Sequence, residues 1–113
     1  MACIFCEIVA RRVPATIVHA DSEVTAFRDI NPQAPTHILV VPNRHIESIA
    51  RLTRADGDLL AHMIEVIGKI AEQEGIAERG YRVVANHGED AGQSVAHLHL
   101  HLLGGRRMGW PPG

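Results

Sequence analysis

Residues 97–103 read HLHLHLL, and with Val95 and Ala96 in front they form VAHLHLHLL, in which imidazole and leucine alternate strictly. Side chains at i, i+2 and i+4 of an extended chain share one face. The run is therefore expected to be a strand over 95–103. Leu98, Leu100 and Leu102 would face a core, and His97, His99 and His101 would point together the other way. At about 3.3 Å per residue, the outer two histidine Cα atoms would lie ~13 Å apart. Zinc holds each imidazole nitrogen at about 2.0–2.1 Å. Adjacent members could share an ion, but three on one straight strand could not easily do so. The histidines must divide their work.

Outward from this strand, the chain alternates short apolar runs with turn signals. Upstream, YRVVAN (81–86) reads as a strand and HGEDAGQS (87–94) as a glycine-containing loop. HILVVP (37–42) is a continuous apolar run stopped by proline, the pattern of a strand buried on both faces. TIVHAD (16–21) and EVTAFRD (23–29) read as a hairpin, and INPQAPT (30–36) as a loop. Thr53-Arg54-Ala55-Asp56 resembles a helix-start box. Beyond it Leu59, Leu60, Met63, Ile64, Ile67, Ile70 and Ala71 keep a helical period, with Gly75 near the stop. Residues 4–10 form a short helix with Ile4, Ile8 and Phe5 on its apolar side, ended before Pro14. Residues 104–113, GGRRMGWPPG, are an irregular tail. Strands with segregated helices predict one α+β domain over 1–113 with a mostly antiparallel sheet.

Composition narrows the function classes. The 113 residues are 46% apolar and 21% charged, which argues for a single packed domain over disorder. Net charge is −2 and no basic run occurs, so a nucleic-acid backbone is not an expected partner. No apolar stretch has membrane-spanning length, and MACIFCEIVARR lacks the basic-then-apolar order of a secretory signal. A cytoplasmic location is expected. Cys3-x-x-Cys6 by itself fits a redox pair, half of a zinc site, or two buried thiols.

One histidine is most often a solvated or satisfied core residue, but three on one face need partners or cost stability. One use is metal binding by a His-x-His pair, with Glu89 or Asp90 as further ligands. The other is metal-free. Neutral imidazole, with a reference pKa of about 6.5, is a good nucleophile near neutrality. Its attack on phosphorus gives a phospho-imidazole that water hydrolyses. The Asn86–Ser94 segment would supply an anion cradle: Gly92 for close backbone approach, and Gln93 and Ser94 as donors.

The triad, together with FRDINPQAPTHILVVPNRHI, GYRVVAN, GQSVAHLHLHLLGGR and the terminal WPPG, resembles the histidine triad family, in its Hint branch of purine nucleoside phosphoramidases. The resemblance covers nearly the whole chain. It implies a five-stranded, mostly antiparallel sheet with one long and one short helix, continued across a homodimer. It also implies hydrolysis of the P–N bond of purine nucleoside 5′-phosphoramidates through a nucleotidyl-histidine, with no cofactor needed for the chemistry. By that resemblance His99 is the nucleophile, His101 a phosphate donor and His37 a support for the nucleophile. Asp29 would accept from the ribose hydroxyls, although it also reads as a turn residue. Phe5, Ile8, Phe27 and Ile30 would wall the base, and Asn86, Gly92, Gln93 and Ser94 would hold the α-phosphate. Trp110 would reach the partner subunit's site. In a bacterial subset of the family, Cys3 and Cys6 would join His45 and His97 around a structural zinc. Two alternatives remain from sequence: a dinucleotide polyphosphate hydrolase of the same superfamily, and a nucleotide-binding interaction module with incidental catalysis.

Overall fold

The computed structural model describes residues 3–113; Met1 and Ala2, the first two positions of the expected domain, lie outside the described residues. Five strands form one antiparallel sheet in the order β1-β2-β3-β5-β4. They are β1 (Ile17–Ala20), β2 (Val24–Arg28), β3 (Thr36–Pro42), β4 (Tyr81–Ala85) and β5 (Leu100–Gly104). Helix α1 (Ile4–Val9) is short, and α2 (Gly57–Gln73) is the long one. The α+β architecture expected from the sequence is the one observed.

Period-2 alternation sorts the sheet's side chains between two cores. Val24 and Ala26 of β2, Ile38 and Val40 of β3, and Leu100 and Leu102 of β5 pack with Met63, Val66, Ile67, Ile70 and Ala71 of α2. Phe27, Leu39 and Val41 turn the other way and pack under Phe5 and Ile8 of α1. β3 is buried along its whole length, as its unbroken apolar run predicts.

The ends of α2 are set locally. Thr53 Oγ1 accepts from the Ala55 N–H, and the Asp56 carboxylate accepts from the Thr53 N–H. This box caps a 3-10 turn at Arg54–Asp56 that leads into α2. At the other end Gly75 takes φ 73°, which lets Ile76 N–H reach the Ala71 carbonyl and Gly75 N–H the Glu72 carbonyl. Arg28 clamps Glu74 through two hydrogen bonds of 2.9 and 2.8 Å, fastening the end of α2 to β2.

Three sequence expectations need correction. The last strand does not run over 95–103; its ladder begins only at Leu100. Val95–His97 bend away, and the Leu98 N–H donates to the Ile46 carbonyl instead of to β3. The alternation nevertheless survives the bend, because Leu98 stays 2% exposed in the α2 core. Ile4 is exposed, since α1 is too short to bury more than Phe5 and Ile8. Leu60 and Ile64 keep the helical period but lie off the buried stripe, at 37% and 50% exposure; Val66 is buried instead.

Ile67, 1% exposed on the buried stripe of α2, tests this packing. Ile67→Ala should lower unfolding free energy in urea by about 2–5 kcal/mol. Lys69→Ala, on an exposed position of the same helix, should stay within about 0.5 kcal/mol. Equal midpoints for the two variants would contradict the assignment of faces.

Candidate active site

The face of the sheet opposite α2 carries the histidines, and their ring tautomers follow from their partners. The His97 carbonyl can only accept, so the 2.7 Å contact from His99 requires the proton on His99 Nδ1. This leaves His99 Nε2 with a free lone pair. A second chain of bonds begins at the Gln33 backbone N–H, which can only donate and does so to His37 Nδ1 at 3.0 Å. His37 Nε2 must then carry the proton, and it donates to His101 Nδ1 at 2.9 Å. His101 is left with its remaining proton on Nε2. One ring thus presents a nucleophilic lone pair and its neighbour an N–H donor, with centroids 5.0 Å apart.

A cleft of about 370 Å³ opens beside this pair. Phe5, Ile8, Phe27, Asp29, Ile30 and Ser94 line it with His99 and His101. Phe5 sets its ring edge-on to Phe27 at 5.4 Å and to His99 at 5.1 Å. The apolar wall and the imidazoles are therefore one packed unit. Asp29 has the turn role read from the sequence, its Oδ1 accepting from the Asn31 N–H, while its Oδ2 lies 3.4 Å from His37 Nε2 at the edge of the cleft.

Other expected site residues lie outside the lining. His37 stands behind His101. Gly92 takes φ 77° in a loop where its own N–H is bonded to the Glu89 carbonyl. The Gln93 amide is spent holding that loop: Oε1 accepts from Gly88 N–H, and Nε2 donates to the Glu47 and Val95 carbonyls. Asn86 follows the last β4 residue, Ala85, which pairs with Leu100. Trp110 is 83% exposed, with the Arg82 guanidinium 6.0 Å from its ring.

A metal-ligand set adjoins the histidines. Cys3, Cys6, His45 and His97 bring one ligand atom each within 4.8 Å of one another. His97 Nε2 carries the proton, because it donates to the Pro42 carbonyl at 2.9 Å. Its Nδ1 lone pair faces Cys3 Sγ at 3.4 Å and Cys6 Sγ at 3.5 Å, and His45 Nδ1 lies 3.4 Å from Cys6 Sγ. Tetrahedral zinc with ordinary Zn–S and Zn–N bonds has S···N edges of about 3.6 Å. The donor set fits a metal of that kind.

A HIT domain model matches residues 10–108. The chain belongs to the HIT family. It is 53% identical over 106 residues to the purine nucleoside phosphoramidase of Escherichia coli (strain K12), covering 94% of this chain and 89% of that one. Among solved structures, a HIT family hydrolase from Legionella pneumophila superposes with a TM-score of 0.97 at 50% identity, covering 99% of this chain and 100% of the other. A histidine triad protein from Clostridium difficile gives 0.93 at 45% identity, covering 96% and 95%.

Some features of this HIT site escaped the sequence reading. Leu39 and Val95 also line the cleft; period-2 alternation in HILVVP could have placed Leu39 on the histidine face. Val13, Pro14 and Ala15 line it too and carry no periodic signal. Buried Ser48 bonds His87 at 2.7 Å across a separation no local pattern announces.

Burial, then repulsion from His99 and His37, pushes His101 down to about 4 against the pull of Asp29. His37 is lowered as well, by burial. A histidine depressed in the fold binds fewer protons there than in the unfolded chain, so its stabilisation is complete above about pH 6.5. It is lost as pH falls toward about 4. Melting temperature should therefore drop across that window, and His101→Gln should make the drop shallower. Parallel pH profiles for the two proteins would refute this.

Proposed function

We propose that the chain hydrolyses purine nucleoside 5′-phosphoramidates at the P–N bond through a nucleotidyl-His99 intermediate. The observation that carries this reading is the complementary tautomer pair beside an apolar cleft. His99 Nε2 attacks phosphorus as the P–N bond breaks, and the amine departs as it takes up a proton from solvent. Water then cleaves the His99–P bond, giving the nucleoside monophosphate and the neutral imidazole and returning a proton to solvent. The His101 Nε2–H donates to a phosphoryl oxygen as charge develops there. His37, itself held by Gln33 N–H, keeps that donor pointed. Phe5, Ile8, Phe27 and Ile30 take the base, and the Asp29 carboxylate accepts from the ribose. Ser94, which lines the cleft, serves the α-phosphate together with Asn86, and Gly92 and Gln93 shape the loop that leads into Ser94. The name of the 53% identical E. coli relative supports the substrate class.

Structural zinc at Cys3, Cys6, His45 and His97 belongs to the same reading. When bound, the ion closes a tetrahedron and contributes folding free energy. Its ligands tie α1 to the segment after β3 and to His97, whose carbonyl orients His99. A cytoplasmic location belongs to the same proposal, because a reducing compartment keeps both thiols available as ligands. Among the described residues no helix is long and apolar enough to cross a membrane.

A homodimer joined along β4 completes the proposal. β4 lies at the end of the sheet order, and an open edge is a template for pairing. Tyr81 and Val83 of β4, with Leu60 and Ile64 of α2, are exposed apolar residues on the α2 side. On the histidine side the Arg82–Trp110 contact lays the tail along the same edge. A sheet continued there would bring Trp110 toward the partner's cleft.

Mass spectrometry of the protein quenched during turnover of an adenosine phosphoramidate should reveal an AMP adduct. His99→Ala should lose adduct and turnover but keep its zinc. His97→Ala should lose zinc and stability. His101→Ala should keep zinc and slow about 10²–10³-fold. An adduct on His99→Ala would overturn the mechanism, and faster turnover of a dinucleotide polyphosphate would reassign the substrate.

Deleting residues 108–113 should alter relative rates across a series of leaving amines with little change in melting temperature. Unchanged relative rates would leave the tail with no part in substrate choice.

A further inference from the structure

His19 of β1, Asp21 in the turn after it, and His62 of α2 converge on one point outside the site described above. Both His19 Nε2 and His62 Nε2 lie 2.7 Å from the same oxygen, Asp21 Oδ2. One ligand atom from each residue falls within 4.8 Å of the others. We propose that these three residues form a second metal site, an open one that takes a divalent transition-metal ion of the zinc type.

The carboxylate is built to stay in place and charged. Asp21 Oδ1 accepts from the Glu23 and Val24 N–H groups at 2.8 and 2.9 Å. The Asn43 side chain bonds the Asp21 carbonyl at 2.9 Å and accepts from Thr25 Oγ1 at 2.7 Å. Desolvation alone would raise the Asp21 carboxyl, but hydrogen bonds from His19, Glu23 N–H, His62 and Val24 N–H hold it well below the usual carboxylate range. Such bonds around a ligand, which fix its orientation, are typical support for a metal site. Asp21 and the nearby Glu23 and Glu65 carboxylates make the surroundings of His62 negative, so a cation is favoured there.

Geometry and exposure suit an ion with water on its remaining positions. The side chains are 16%, 30% and 35% exposed for His19, Asp21 and His62. Bonds of about 2.0–2.2 Å from one ion to two imidazoles and a carboxylate need N···O edges of about 3.0–3.4 Å. The 2.7 Å contacts would open by a few tenths of an ångström, within reach of side-chain rotation. Each ring would carry its proton on Nδ1 and turn the Nε2 lone pair inward. Two imidazoles and one carboxylate select zinc, cobalt, nickel or copper over magnesium and calcium, which prefer all-oxygen sets. Bound there, the ion would clip α2 to the β1–β2 turn.

Equilibrium dialysis of the whole protein against Zn²⁺, with metal counted per chain, tests the proposal. Wild type should hold one more equivalent than either His19→Gln or His62→Gln, whatever the Cys3-Cys6 site holds. Glutamine keeps an N–H for Asp21 and removes the imidazole ligand. In wild type, long-range ¹H–¹⁵N spectra should show the His19 and His62 rings moving their protons to Nδ1 as zinc is added. Equal zinc in all three proteins, or rings that do not respond, would mean that the cluster is only a hydrogen-bonded clip.

Discussion

Leu98, Leu100 and Leu102 are committed to the core under α2, and that commitment turns each intervening histidine to the opposite face of the sheet. Burying an isoleucine- or leucine-sized side chain is worth roughly 1.5–3 kcal/mol, so three of them fix the facing of the whole segment. The histidines inherit their placement from a hydrophobic decision made on the other side of the sheet. The constraint even persists through the bend at Val95–His97, where the ladder to β3 has been given up. The bend frees His97 to approach Cys3 and Cys6 while Leu98 stays buried.

Separate functions can then sit on histidines two residues, or about 6–7 Å of strand rise, apart without interfering. His97 uses its ring for the metal-ligand set and its carbonyl for His99. The backbone of one residue thus passes the rigidity of a ligand cluster to its neighbour. Phe5 does similar work through packing, since its ring touches both His97 and His99 while its helix carries Cys6. A short N-terminal helix, marginal alone in water, is held by these contacts against the face it helps to build.

Much of this arrangement was legible in the residues. Strict alternation gave the facing of the triad, a continuous apolar run gave buried β3, and Gly75 marked the end of α2. The strand boundary was misread because alternation reports which way a side chain faces and is silent on which backbone group its N–H bonds. Leu98 satisfies the first rule and, by donating to Ile46, leaves the ladder. Leu60 and Ile64 fit a helical period equally well whether they meet a core or point outward, so periodicity alone could not separate them from Ile67. Gln93 read as a donor because its amide is one; only tertiary structure reveals that the Glu47 and Val95 carbonyls use both of its protons. His19, Asp21 and His62 meet through tertiary folding across 43 residues of sequence, which no local spacing could announce.

The Gln33 N–H that starts the bonds through His37 to His101 belongs to the peptide, and its own side chain plays no part in them. A peptide nitrogen has a hydrogen and no basic lone pair, so the sequence of donors and acceptors beyond it has only one permitted direction. Polarity at the cleft is therefore encoded two rings away by a group that every amino acid except proline supplies. Chemical information of this kind is written in the backbone alphabet: the side chain at position 33 can vary freely without altering it, and a reading by side-chain type passes over it.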